Sequence, residues 1–303
     1  MKLTEKEENI YNNLKNQVDS IYKHIRNGSY GTRRRYYAAM LRFLRFLATE
    51  YRLENIRNIG PKHLIGYVEY IESMDLSERT IKTDLSAIRW FHDFVPRAKY
   101  MLPDNDHLGV ELPKHVFQAE DRTWSDKEYA DMCQIAISEG IKAYANAITL
   151  ARFAGLRIHE VFRIDAATAH SALKSGNLFV KGKNGKDRIV PASEECLEAL
   201  ADQLSVTDRG EKLFVGHGED TDRAINRLQI YLWRHRDEVR DPNNPIKLTF
   251  HGLRHTYAAE QYRTLREQGV SLLDAYLHVS KLLGHNRGGV TRVYTGSVDE
   301  SLF

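Results

Sequence analysis

Apolar residues recur at three- and four-residue intervals along most of this chain, and that spacing favours α-helices over any other regular structure. In RRRYYAAMLRFLRFLATEY, Tyr37, Met40, Leu41, Leu44 and Leu47 make one stripe, while Arg34, Arg35, Arg42 and Arg45 lie largely off it. The pattern predicts an amphipathic helix with a basic outer face. In SERTIKTDLSAIRWFHDF, Ile81, Leu85 and Ile88 form the buried stripe, and Lys82, Ser86 and Arg89 share another face. Small polar and basic side chains on one helix face suit a DNA groove, and a solvated surface is the plainer reading. Arg33, Arg34 and Arg35 are added to that candidate DNA-facing set.

One segment breaks the helical period. NLFVKGKNGKDRIVPA sets Leu178 to Val180 and Arg188 to Val190 around Asn184-Gly185, a dipeptide that tolerates the positive φ angles of a tight hairpin. The expected fold is mainly α, in two domains, with a small antiparallel sheet in the second. Between Pro96 and Asp121 the periodicity lapses and three of the seven prolines occur, so residues 101–121 read as a linker. Residues 1–28 read as a polar extension, 29–100 as a helical domain and 122–303 as a second domain. The second domain opens at Ser125 and Glu128, spaced as a capping box. Thr249 is expected to cap a helix from about Phe250 to Gln268 with Gly269 as its stop, and Ser271 with Asp274 to open another that ends at Gly284.

The 303 residues contain no apolar run of membrane length, and MKLTEKEENIYNN is too polar for a secretory signal, so a cytoplasmic location is expected. Cys133 and Cys196 are the only cysteines, which argues against a disulfide framework or a cysteine-based zinc site. No metal or cofactor is expected. Net charge is +3, but residues 1–100 hold 18 Lys and Arg against 12 Asp and Glu, a balance of +6, and the remainder 26 against 29, a balance of −3. The basic part is the candidate clamp on a polyanion, because neutralised phosphates release counterions.

Four segments of the second domain carry polar residues that local structure does not require. In ARFAGLRIHEV, Gly155 ends one helix, and Arg157 with Glu160 opens the next. A cation at a helix N-terminus opposes the helix dipole, so an anionic ligand is expected to favour it there. Lys183 stands at the edge of the hairpin turn with Lys181, Lys186 and Arg188. HGLRHTYA puts His251 and Arg254 on one helix face near its start, with His255 one position round, a reasonable phosphate site. LLGHNRGGVTRVYTGSV places His285 just past a helix end and Tyr294 nine residues on.

The series Arg157, Lys183, His251-Gly-Leu-Arg254, His285 and Tyr294 resembles the catalytic pattern of the tyrosine recombinases, or phage integrase family, in order, context and approximate spacing. The phrases AGLRIHEV, KGKNGKDRIVP, HGLRHTYA, LLGH and VTRVYTGSV are similar to that family's motifs, and residues 30–100 resemble its core-binding domain. The resemblance implies a C-shaped clamp on double-stranded DNA bearing a specific recombination site. It implies Tyr294 as nucleophile, giving a 3′-phosphotyrosyl bond, with Arg157 and Arg254 on the non-bridging oxygens. Lys183 is then the general acid, His251 shares in proton transfer, His285 donates to a non-bridging oxygen, and Glu160 orients its neighbours. A homotetramer on synapsed DNA is implied, and accessory DNA-bending proteins stay open as partners.

A type IB topoisomerase-like activity and a catalytically silent DNA-binding protein are the alternatives. Only nine residues follow Tyr294, few for the tail helix that many relatives dock into a neighbouring protomer, and residues 1–28 are short for the arm-binding domain of the large phage integrases.

Overall fold

The computed structural model describes residues 3–74, 76–108, 121–182 and 187–284. The chain divides into two compact units, Met1–Val116 and Phe117–Phe303. Both are mainly helical, and a single two-stranded sheet occurs among the described residues. No described helix is long and apolar enough to cross a membrane.

The first unit contains α1 (Glu5–Tyr22), α2 (Tyr30–Phe46), α3 (Pro61–Glu72) and α4 (Glu78–His92). Residues 1–28, expected as an extension outside the helical domain, instead supply α1 to the core. A Thr4/Glu7 capping box starts α1, and Ile10, Leu14 and Val18, four residues apart, are buried with the apolar stripes of α2, α3 and α4. Met40, Leu44 and Leu47 are buried as the periodicity requires, while Tyr37 and Leu41 pack at the edge. Ile81, Leu85 and Ile88 face the same core. The first part of the expected linker also belongs here, since Leu108 is buried in this core.

The apolar stripes of α2 and α4 pack around one charge. Asp84 is fully buried and accepts from Arg42 Nε at 3.0 Å and Nη2 at 2.5 Å, and from the Tyr67 hydroxyl at 3.0 Å. Burial and the adjacent carboxylate raise the Tyr67 pKa far above that of a free phenol.

The second unit contains α5 (Asp126–Ser138), α6 (Lys142–Ala154), α7 (Ile158–Val161), α8 (Ala166–Ser175), β1 (Asn177–Lys181), β2 (Asp187–Pro191), α9 (Glu194–Leu204), α10 (Thr221–Val239), α11 (Phe250–Glu267) and α12 (Leu272–Leu283). The strands pair antiparallel with Leu178 opposite Val190 and Val180 opposite Arg188. The Asn184-Gly185 turn lies outside the described residues. Small residues along α6, among them Ala147, Ala151 and Ala154, are buried and let α5, α9 and α11 pack closely around it. Ser125 and Glu128 form the capping box that opens α5, Thr249 caps α11, Gly269 follows its end at positive φ, and Ser271 caps α12. Trp124 ties the start of the unit to α11, its backbone N–H donating to Thr256 Oγ1 at 2.7 Å and its indole N–H to the Thr249 carbonyl at 3.0 Å.

Because Arg42 is half exposed and its pairing is screened by water, the main loss in an Asp84→Ala variant is the buried partner of Tyr67 and the packing around it. Its expected cost is about 2–4 kcal/mol in the opening free energy of α2 and α4. Amide hydrogen exchange on the whole chain measures this, and unchanged protection of both helices contradicts the assignment.

Candidate functional site

The site begins where α6 stops. Gly155 adopts φ +60°, and a Cβ there would lie 2.4 Å from the Tyr257 ring, so both conformation and space demand glycine. The chain turns through buried Leu156 into Arg157, the N-cap of the four-residue α7. Arg157 donates its backbone N–H to Glu160 Oε2 at 2.8 Å and its Nη1 to Oε1 at 2.9 Å. Glu160, in the helix's own first turn, is therefore the immediate anion that makes a cation acceptable there, ahead of any ligand.

Glu160 is the hub. Its side chain is fully buried, and Arg188 of β2 grips both oxygens, Nη1 to Oε1 and Nη2 to Oε2, each at 2.9 Å. Arg254 of α11 approaches Oε2 to 3.8 Å. Burial alone would raise the Glu160 pKa. The bonds and charge of Arg188, the Arg157 backbone N–H and the charge of Arg254 outweigh it and hold the carboxyl at about 2.

Carbonyls at two helix ends hold the arginines. Arg254, fully buried, donates Nη1 to the Gly155 carbonyl at the end of α6 and Nη2 to the Leu283 carbonyl at 2.6 Å. Arg188 Nε donates to the Leu282 carbonyl at 2.9 Å. Both carbonyls of α12 belong to its last turn, where the helix leaves acceptors unpaired and presents the negative end of its dipole. Gly284, at φ +64°, closes α12 as the sequence predicts.

A groove of about 400 Å³ opens beside this cluster, lined among others by Arg157, His159, Trp233, Arg236, Thr249 and His251. His251 is exposed at the groove, with its ring 5.2 Å from that of His255 and edge-on to it. Although His251 reaches the surface at the groove, the protein packed around its ring strips away much of its water, and that desolvation with the charges of Arg254, Arg157 and Arg122 pushes its pKa down to about 4. Burial, His251 and the nearby arginines take His255 to about 3. Both imidazoles are neutral at pH 7. His251 and Arg254, expected together on one helix face, thus stand in different settings, a neutral histidine at the groove and a buried arginine behind it.

The structure therefore brings Arg157, Glu160, His251 and Arg254 together. Lys183, Lys186, His285 and Tyr294 lie outside the described residues. Arg188, grouped by sequence with the hairpin-tip lysines, instead turns inward to Glu160. Its signal was available: Arg188 and Val190 share the inward face of a strand, and an arginine there needs a buried partner. Lys181 ends β1 and is exposed. In the first unit Arg34 and Arg35 are exposed, as a basic face requires. Arg33 donates to the Ile25 carbonyl at 3.0 Å, and Arg89 donates to the Pro103 carbonyl at 2.5 Å and to Asn105 Oδ1 at 2.7 Å, so both hold their own unit together. Ser86 Oγ donates back to the Lys82 carbonyl. Trp233 and Arg236 on α10, with His159, are groove residues that the sequence reading passed over.

A sequence profile of the phage integrase family matches residues 123–301, and one of the phage integrase N-terminal SAM-like domain matches residues 21–99. The chain belongs to the phage integrase family, the tyrosine recombinases. The tyrosine recombinase XerD of Halalkalibacterium halodurans is 25% identical over 299 residues, which cover 95% of this chain and 94% of the relative. The fold is shared with a lambda integrase tetramer bound to a Holliday junction, at TM-score 0.64 and 18% identity over 93% of this chain and 77% of that one. It is shared too with the XerH site-specific recombinase in a post-cleavage complex with palindromic difH substrate, at TM-score 0.61 and 18% identity over 95% and 83%.

A carboxyl held at about 2 in the folded recombinase and near 4.5 when unfolded stabilises the fold above pH 4.5, and loses that contribution as pH falls toward 2. The contribution at pH 7 is about 3 kcal/mol. Urea unfolding should find Glu160→Gln less stable than wild type at pH 7, with the gap narrowing progressively as pH falls from about 5 toward 2. A gap that does not change with pH contradicts this ionisation.

Proposed function

We propose that this tyrosine recombinase cleaves and rejoins double-stranded DNA at a specific site through a 3′-phosphotyrosyl bond made by Tyr294. The observation that carries the reading is the arginine cluster: Arg157 at the groove and Arg254 behind it, both fixed around Glu160, with neutral His251 at the groove's edge. Residues 122–303 are the catalytic domain in this reading. Residues 29–100 are the core-binding domain, whose exposed Arg34 and Arg35 face the DNA backbone together with Lys82 and Ser86. Lys181 and Lys186 add cations from the hairpin.

The chemistry follows from charge. A phenol of pKa about 10 is protonated at neutral pH, so attack needs a proton acceptor and an electropositive site. His251, neutral in the free protein, shares in accepting the phenol proton. As the Tyr294 oxygen bonds to phosphorus, negative charge grows on the non-bridging oxygens. Arg157 and Arg254 stabilise it, and His285 donates a further hydrogen bond. The P–O5′ bond then breaks, and Lys183 protonates the leaving oxygen. The phosphotyrosyl bond keeps the energy of the broken diester, so a 5′-hydroxyl restores it by the reverse steps. When that hydroxyl comes from a second duplex, strands are exchanged. Two duplexes with two cleavage points each call for four protomers, and a homotetramer on synapsed DNA in the cytoplasm is the proposed working form.

A nicked duplex carrying the cognate site tests the assignment. Wild type should give a covalent adduct in EDTA, and Tyr294→Phe should give none while its gel-shift binding persists. An adduct that survives in Tyr294→Phe removes the nucleophile. Arg157→Ala should bind yet cleave about 10²- to 10³-fold more slowly. Cleavage at the wild-type rate contradicts the electrostatic role.

A further inference from the structure

We infer that Arg188 is a positioning residue for strand cleavage: by saturating both oxygens of Glu160, it keeps that carboxylate from neutralising Arg157 and Arg254. The inference rests on the proposed cleavage reaction. Arg188 is not placed to act on DNA itself, because its side chain is only 8% exposed and it does not line the groove that Arg157 and His251 share. It acts through Glu160.

The distances separate the roles. Arg188 meets Glu160 as a two-pronged fork at 2.9 Å on each oxygen, Arg157 adds one side-chain bond at 2.9 Å to Oε1, and Arg254 stands at 3.8 Å, beyond hydrogen-bond range. The fork is held from behind. Its Nε is tied to the Leu282 carbonyl, and its stem packs where a Cβ on Gly284 would come within 3.1 Å of its Cδ. Glu160 is thus matched in large part by a cation that has no access to substrate, and it neutralises the groove-facing Arg157 less fully than it would without Arg188. Removing the Arg188 charge while leaving Glu160 ionised would turn the carboxylate fully onto Arg157 and Arg254.

Cleavage of the nicked duplex by four proteins tests this, with unfolding midpoint and gel-shift affinity measured beside it. Arg188→Gln should bind DNA but cleave about 10²-fold more slowly than wild type. Arg188→Lys keeps the charge and should cleave within about tenfold of wild type. Arg188→Gln combined with Glu160→Gln replaces the ion pair by a neutral pair of similar shape, and should recover at least about tenfold over Arg188→Gln alone. A methylphosphonate at the scissile position lacks one charged oxygen and needs less cationic stabilisation. On it the gap between wild type and Arg188→Gln should shrink by about tenfold. A purely structural role would slow both substrates alike and lower the unfolding midpoint in step.

The inference is overturned if Arg188→Gln cleaves like wild type, if the methylphosphonate leaves the gap unchanged, or if Arg188→Lys is as slow as Arg188→Gln. Should Arg188→Gln not fold, Arg188→Lys and the double variant decide: near-wild-type cleavage by Arg188→Lys with a folded, cleaving double variant supports it, and loss in both overturns it. A wild-type protein that forms no Tyr294 adduct defeats the cleavage reading itself. A wild-type adduct together with any of the overturning results defeats this inference alone.

Discussion

Placing one buried carboxylate among three guanidiniums is the constraint on which the catalytic unit depends. An isolated ion the size of Glu160's carboxylate costs several kcal/mol to bury, and only close cations with good geometry make it tolerable. Those cations come from Arg157 after α6, Arg188 on β2 and Arg254 on α11, and the last turn of α12 adds two carbonyls. Four segments distant in the chain thus share one electrostatic account. None of them holds its geometry alone, so the site exists only when the whole unit has folded.

Much of this was legible in the residues, and what was not has a physical reason. Capping residues, the glycines that end helices and the two short strands beside the hairpin turn are local, because a handful of neighbouring atoms decides them. Thr249, Gly155 and Gly284 accordingly behave as read. Arg157, Glu160, His251 and Arg254 are recognisable as a pattern and do converge. The direction of a side chain is a tertiary matter. Arg188 looked like another hairpin cation because its partner lies 28 residues away, and Arg89 looked like a groove contact because Pro103 and Asn105 had no marked role. The polar composition of residues 1–28 suggested an extension outside the domain, yet the three buried residues of α1, four apart, suffice to dock it.

The first unit solves a similar problem with a single cation and a hydroxyl. Asp84 is buried against Arg42 and the Tyr67 hydroxyl, and Arg42 keeps nearly half its side chain exposed on the same helix as Arg34, Arg35 and Arg45. An arginine anchored by its inner edge to a buried carboxylate keeps its outer edge in a fixed place at the surface. The basic balance of residues 1–100 is thus carried partly by side chains that the fold has already oriented.

Fixing a guanidinium usually means neutralising it, and the catalytic unit largely avoids this for Arg254. Two carbonyls at helix C-termini, which carry partial charge and no formal charge, accept from it, while Glu160 stands farther off at 3.8 Å. Arg254 is held by oriented dipoles, so its position is set by the fold of the unit itself. The two glycines at those helix ends, Gly155 and Gly284, let α6 and α12 stop where their last carbonyls point at arginines. The positive φ angles that look like simple helix stops in the sequence are, in the folded unit, what aims the acceptors that hold the charge in place.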